Sequence, residues 1–540
     1  MSESYDVVVL GSGAAGLSAA LTASALGASV GLFEKSDRVG GTTAVSGGVV
    51  WVPAHNRPDV EDPPTVEEAM AHLRALANEK LDEELAEVYV RGAEPAIEFI
   101  EEHSPVRFSV AAGFPDYRPE LPGGRPQGGR SFNPSPFDYA ELGEWAGRIT
   151  EFPIDFSNVG FDAETRARMW GDAAFGEEGS DIRVTGAALV GGMLRALLDL
   201  GVEPRTGSGA LRLLTDDGTV TGVVVEGPEG EVEVHARRGV VLATGGFEWD
   251  RDLVKAFLRG PMHGPISPPL NNGDGLRMAM RVGAGLGNMS EAWWTQIIKI
   301  PGDEFGGHER SRSVRLERSR PRSIIVNRAG RRFGNEAADY NSFAGAFHQF
   351  EPNRFEYPNL PAWMVIDDVH LQTYGFLGVE PGDPVPDWFN RSTSLAELAA
   401  ATGIDPDGLA ATLAAWNEGV AKGEDAEFGR GVSAYDGYWG DSAQPTRAAR
   451  TLGPIDTAPF YAVRVDLGCT GTKGGPRTDA DARVLDVDGE PIPGLYAAGN
   501  TMAGVTGMAY GGAGGTIAPA LVFGHRAARH AVGAAVEASR

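Results

Sequence analysis

The 540-residue chain has one cysteine, Cys469. A single thiol excludes an intrachain disulfide framework and any metal site built on clustered cysteines. Its expected use is as a small buried side chain. Positive charge is also scarce: 47 Lys and Arg stand against 74 Asp and Glu, for a formal charge of −27. So acidic a surface repels phosphate backbones, so no nucleic-acid partner is expected and the excess reads as a solubilising shell. Long apolar runs are missing too. Nothing approaches the roughly 20 apolar residues that span a bilayer, and the polar start Met1–Asp6 has no signal-peptide pattern. No transmembrane segment and a cytoplasmic location are the expectations. The histidines show no metal-site spacing, so no metal is expected, and no Ser/His/Asp arrangement can be argued.

Glycine, by contrast, is abundant. The 74 glycines cluster in short motifs rather than in a low-complexity tract, which favours tight turns and close backbone approach to a ligand. Tyr5–Leu10 (YDVVVL) is a short, β-branched apolar run that reads as a buried parallel strand. Gly11-Ser12-Gly13-Ala14-Ala15-Gly16 follows it and opens an Ala-rich helical pattern ending at Gly27. Ser29–Phe33 then reads as a second strand, closing a βαβ unit of about 30 residues.

A GxGxxG is weak evidence alone, but here it lies between strand and helix, as dinucleotide binding requires. Gly11 permits the turn, Gly13 admits a pyrophosphate to the backbone, and Gly16 lets helix and strand pack closely. The helix N-terminus offers free N–H groups and partial positive charge to phosphates. Glu34, about 20 residues on, suits a ribose 2′-OH and disfavours a 2′-phosphate. Lys35 and then Gly41-Thr42-Thr43, Ser46, Gly47 and Gly48 supply small and hydroxyl residues that can line a cofactor running deep into the protein. Further strand-to-glycine junctions stand at Thr244-Gly245 and Gly499-Asn500. Ala210, Thr516 and Ile517 complete the expected cofactor set. Together these favour FAD over NAD.

The length suggests two to four structural units. Pro115–Phe137, rich in Pro and Gly, offers no regular element and reads as a functional loop. Leu211–Val241 reads as a β-meander feeding a parallel strand at Val240–Ala243. Between about 295 and 455 strand-like SIIVN and AWMVID alternate with helical SLAELAAATG and DGLAATLAAWNEGVAKG. The expected fold class is therefore α/β. Residues 1–294 and 456–540 form a Rossmann-like FAD-binding domain, and an inserted α+β substrate domain spans 295–455.

These motifs, in this order, resemble the fumarate reductase and succinate dehydrogenase flavoprotein superfamily from end to end. Its fumarate-reducing members hold their dicarboxylate with a His and an Arg; Gly471 and Gly512 stand in those places here. Small carboxylates need such cationic partners, which lowers that reading. Four stretches are similar instead to the 3-ketosteroid Δ1-dehydrogenases. They are Gly40–Pro53 with its Trp51-Val52-Pro53, the loop Pro115–Gly124 with Gly129-Arg130-Ser131, Arg331–Glu336 leading to Tyr340, and Leu467–Thr478 with Gly507–Ile517. Departures from the group's pattern are Met508, Ala509, Ala513 and the inserted-looking Cys469-Thr470-Gly471.

The resemblance implies an FAD-dependent enzyme that makes a C=C bond beside a ring ketone. Tyr510 and the backbone N–H of Gly514 would bind the ketone oxygen, Tyr340 would take the α-proton, and Tyr117 would assist Tyr340. The flavin N5 would accept the hydride. A small apolar, steroid-like ring ketone and an unidentified electron acceptor are the implied partners. The other readings are a fumarate-reductase-like or Δ4-type ketosteroid flavoprotein, a desaturase of a smaller cyclic ketone, and a non-catalytic flavoprotein. Trp293 and Trp294 read as core residues.

Overall fold

The structure is a computed structural model that describes residues 3–58, 60–152, 180–227 and 230–533. Two seven-stranded sheets organise it. In the first, Val30–Phe33, Glu3–Leu10, Gly230–Leu242, Pro491–Ala497 and Arg483–Leu485 lie side by side in that order. The first four run parallel, Val8 lying between Gly31 and Val240, and Val241 opposite Tyr496. Val7, Val8, Val9 and Leu10 are all buried, as expected of a strand covered on both faces. The helix Ala14–Ala25 crosses one face beside the long C-terminal helix Ile517–Val532.

The meander is present as Ala210–Asp216, Thr219–Gly227 and Gly230–Leu242. Its last strand and the anticipated parallel strand are one 13-residue element. Residues 230–235 of that element pair antiparallel with the hairpin, and residues 234–242 pair parallel with Glu3–Leu10. The second sheet runs Arg312–Ser313, Ala292–Ile298, Phe460–Thr472, Ala362–Asp367 and Ser323–Val326. Helices Leu395–Thr402 and Pro406–Lys422 cover one face through Leu398, Leu409, Leu413 and Trp416. The α/β class holds, with a Rossmann-like FAD-binding unit at its base.

The expectation of no regular element in Pro115–Phe137 is corrected. Residues 115–127 are irregular, but Gly128–Pro134 is a strand between Val50–Trp51 and Phe108–Ala112. Its glycines and terminal proline give it the composition of a loop, and its partners are distant in sequence. Among the described residues no helix is long and apolar enough to cross a membrane.

Candidate active site

One cavity runs from the glycine turn to a cluster of tyrosines. At its near end lie Gly11, Ser12, Gly13, Ala14, Ala15, Glu34 and Lys35. Gly11 has φ +102°, and a Cβ there would meet the Ala243 carbonyl oxygen at 2.3 Å. Gly16 is set back from the cavity; its Cβ would stand 1.8 Å from the Gly11 oxygen, so it must be glycine for the turn to close on the helix. Gly13 differs. The nearest protein atom to its added Cβ is Thr43 Oγ1 at 3.5 Å, so space is left there for a ligand. Gly13, at the N-cap, has no side chain to cap the helix; Thr43 Oγ1 accepts from the Ala14 N–H at 3.0 Å, and the positive end of the helix faces the cavity, where it suits an anion.

Glu34 accepts hydrogen bonds from Ser12 N–H (3.0 Å) and O–H (2.7 Å), and from Ser36 N–H (2.9 Å). It therefore ties the second strand to the glycine turn. Lys35 pairs with Asp274 at 2.7 Å. Further in, Gly41, Thr42, Thr43, Ser46, Gly47, Gly48, Ala210, Thr244 and Gly245 line the same cavity. Gly499, Asn500, Thr516 and Ile517 close it from the C-terminal segment. Among the expected cofactor residues only Gly16 does not face it. Ser208, Asn271 and Asp274 line it as well; each sits in a loop or at a helix start without a motif, so sequence alone had no signal for them.

The far end carries Tyr117, Tyr340, Tyr510 and Gly514. They arrive from three remote parts of the chain. Tyr340 is the first residue of a helix whose cap, Asp339, accepts from Ser342 N–H, and its carbonyl accepts from Gln296. Tyr117 lies in the irregular loop, its N–H donating to the Gly511 carbonyl at 3.0 Å. Tyr510 follows Ala509, whose carbonyl accepts from Lys473 Nζ at 2.8 Å. The Tyr117 hydroxyl donates to Tyr340 at 3.3 Å, and the Tyr340 and Tyr510 hydroxyls stand 3.0 Å apart.

Burial drives all three phenols up in pKa, Tyr117 and Tyr510 well above the ordinary value. Arg315 opposes the rise at all three, and Tyr340 has the most offsets. The charge of Arg315 and the hydrogen bonds with Tyr117 and Tyr510 all act to lower it. Arg315 lies 5.4 Å from the Tyr340 ring centroid and 5.2 Å from that of Trp439. Sequence reading missed it, because an arginine in a run of arginines (RSRSVRLERSRPR) has no visible register.

The glycines flanking Tyr510 have a packing cause. Cβ atoms at Gly511 or Gly512 would meet the Trp51 ring at 2.3 and 2.5 Å. Trp51 in turn donates to Asp116 at 2.8 Å, and Asp116 is paired at 2.7 Å with fully buried Arg130. The Trp51-Val52-Pro53 stretch and the Asp116–Tyr117 loop thus hold one glycine turn between them. Gly514, at φ +94°, would place a Cβ 2.4 Å from the Val49 oxygen. Trp293, read as core, is buried but packs on the Tyr510 ring, centroids 4.6 Å apart, and donates to Asn500. Cys469 is buried, and burial pushes its thiol well up.

A cradle open at Gly13, a helix start facing the cavity and a hydroxyl-lined trench leading to buried phenols suit FAD, and they define an FAD-dependent oxidoreductase. The chain belongs to the FAD binding domain family, whose profile matches residues 6–517. It is 39% identical over 98% of its length to the 4-oxocyclohexanecarboxylate 2-dehydrogenase of Sinomonas cyclohexanicum, of which 93% is covered. It is 36% identical to the 3-oxosteroid 1-dehydrogenase of Mycobacterium tuberculosis, with 98% of each chain covered. Among solved structures, the 3-ketosteroid Δ1-dehydrogenase of Sterolibacterium denitrificans in complex with 1,4-androstadiene-3,17-dione is similar at a TM-score of 0.90 and 34% identity. That match covers 98% of this chain and 100% of the other. The chain is thus an FAD-dependent dehydrogenase of the ketosteroid and cyclic-ketone type.

Proposed function

We propose that the protein introduces a C=C bond next to a ring ketone by tyrosine-assisted removal of the α-proton. The observation that carries this is the linked hydroxyl triad Tyr117–Tyr340–Tyr510 at the end of the cofactor trench. Tyr510 O–H and the Gly514 N–H hold the ketone oxygen and take up charge as the enolate forms. The Tyr340 phenolate accepts the α-proton. A phenol is a poor base at its reference pKa near 10, and Arg315 with the two neighbouring hydroxyls stabilises its anion. Bound FAD would supply the acceptor for the hydride leaving the β-carbon. Gly11–Ala15 with Glu34 would hold its adenosine diphosphate portion, and the segments around Thr43, Ser46 and Thr516 would hold the rest. Residues 295–455 form the substrate-facing domain, and the electron acceptor that reoxidises the flavin is unidentified.

Two classes of ring ketone fit: a 3-ketosteroid, or a small cyclic ketone such as 4-oxocyclohexanecarboxylate. Reduction of a small dicarboxylate fits less well. A Cβ at Gly471 would meet Asn500 at 2.5 Å and one at Gly512 would meet Trp51, so neither place has room for a cationic side chain.

Anaerobic mixing of the holoenzyme with 4-androstene-3,17-dione and with 4-oxocyclohexanecarboxylate tests the reading. Bleaching of the flavin by either ketone is expected. Bleaching by neither, with reduced flavin reoxidised by fumarate, would overturn it.

A further inference from the structure

We infer that Lys473 is the positioning residue for Tyr510, holding that phenol where the ketone oxygen must meet it; this rests on the ring-ketone reading above. Lys473 follows the strand Phe460–Thr472 and is 1% exposed. Its backbone is fixed on both sides: its N–H donates to the Glu291 carbonyl at 2.9 Å, and its carbonyl accepts from Gly504 N–H at 2.8 Å. From that anchor the side chain makes two contacts. Nζ donates to the Ala509 carbonyl at 2.8 Å and lies over the Trp293 ring, 3.9 Å from its centroid. Both contacts lead to Tyr510. The Ala509 carbonyl belongs to the peptide that enters Tyr510, and the Trp293 ring packs on the Tyr510 ring, with centroids 4.6 Å apart and planes at 61°.

Each arm is secured from a further side. The Thr506 hydroxyl also donates to the Ala509 carbonyl at 3.1 Å, and Trp293 Nε1 donates to Asn500 at 3.1 Å. Packing alone does not account for an amine at this place. Among the described residues no carboxylate pairs with Lys473; the Glu291 carboxylate, whose charge acts on it, is bonded to Arg259 at 3.0 Å. Burying an amine away from an acid is costly, and a methionine would fill much the same space without that cost. What the amine adds is a donor aimed at the Tyr510 turn. An amine donates in either protonation state, so this bond persists although burial draws the Lys473 pKa down to about 7. The ketone-binding hydroxyl is useful only in place, since a displacement of about 1 Å can cost about 10²-fold in rate.

The test is a double-mutant cycle on the holoenzyme, with whichever of 4-androstene-3,17-dione and 4-oxocyclohexanecarboxylate bleaches the wild-type flavin. Ketone affinity is read from the flavin difference spectrum, and the rate of flavin reduction from anaerobic single turnovers. Lys473→Met should lower that rate about 10- to 100-fold with FAD content unchanged. Tyr510→Phe, which keeps the ring and loses the hydroxyl, should cost about 10²- to 10³-fold. Adding Lys473→Met to Tyr510→Phe should then change rate and affinity by no more than about threefold, because a residue that acts through Tyr510 has nothing left to position. A residue that merely supports the fold would lose the same factor in both backgrounds. Lys473→Gln, too short to reach Ala509, carries the same cycle if Lys473→Met does not retain FAD; loss of FAD in both would show a role in folding and overturns the inference. A wild-type rate in Lys473→Met, or equal losses with and without the Tyr510 hydroxyl, overturns it too and leaves the ring-ketone reading standing. If neither ketone bleaches the wild type, that reading falls and the inference with it.

Discussion

Tyr340 is set apart from its neighbours by what surrounds it, not by its type. All three phenols are buried, yet two hydroxyls and one guanidinium converge on Tyr340. Tyr340→Phe is therefore expected to lower kcat about 10²- to 10⁴-fold, the usual share of a general base, with flavin content unchanged. A variant keeping full activity in steady-state assay would remove Tyr340 from the proposed role. Tyr117→Phe should cost less, since it removes a supporting hydrogen bond and not the base. The pH dependence follows from the same burial. Tyr340 has its pKa raised, so the phenolate is scarce at neutral pH and grows as pH rises. kcat/KM should climb towards alkaline pH, at up to about tenfold per unit below that pKa. A profile that is flat or falling between about pH 7 and 10 would contradict it.

At the scale of elements, the strand–glycine–helix unit was legible because its signals are local. An apolar β-branched run, three glycines at fixed spacing and an Ala-rich helix lie within about 30 residues. Space around two of those glycines separates folding from binding. Gly13→Ala meets nothing closer than 3.5 Å, so its melting temperature should stay within a few degrees while FAD is lost or weakly held. Gly16→Ala drives a methyl onto the Gly11 oxygen, so both stability and FAD retention should fall. Purification of each variant, with absorbance near 450 nm and a thermal melt, distinguishes them. Equal behaviour of the two would show that the cradle does not work as described. Gly128–Pro134 was the element misread, because a strand of Gly, Arg, Ser, Asn and Pro around the single Phe132 is specified by its partners and not by its own propensity.

For the whole molecule, burial of neutral histidines couples stability to acid. Burial pushes His370 down to about 4 and His525 down to about 3. In the unfolded chain each protonates near pH 6.5, so as pH falls below that value the unfolded state takes up protons first. The stability these groups carry is full above about pH 6.5 and is lost as pH drops towards 4. At its steepest the two together amount to about 3 kcal/mol per pH unit. Raised carboxyls such as Glu248 and Asp339 act in the opposite sense, so the clean measurement is a difference. His370→Gln should lose less melting temperature than wild type between pH 6.5 and 4.5. An equal loss would mean that His370 is not held neutral.

The cofactor end of this protein was determined by sequence alone, since a turn, a helix start and an acidic residue act within one short segment and need no distant partner to be recognised. Glu34 and the glycines could be named before any coordinates, and the structure adds that Glu34 accepts from Ser12 and Ser36. The tyrosine end could be named only through family resemblance. Tyr117, Tyr340 and Tyr510 lie 170 or more residues apart in every pairing, and no local pattern says that their hydroxyls meet. Tertiary structure decided that, and it decided which arginine faces them. Hydrogen bonding and Coulombic support act over a few ångströms of space, and sequence separation carries no information about that distance.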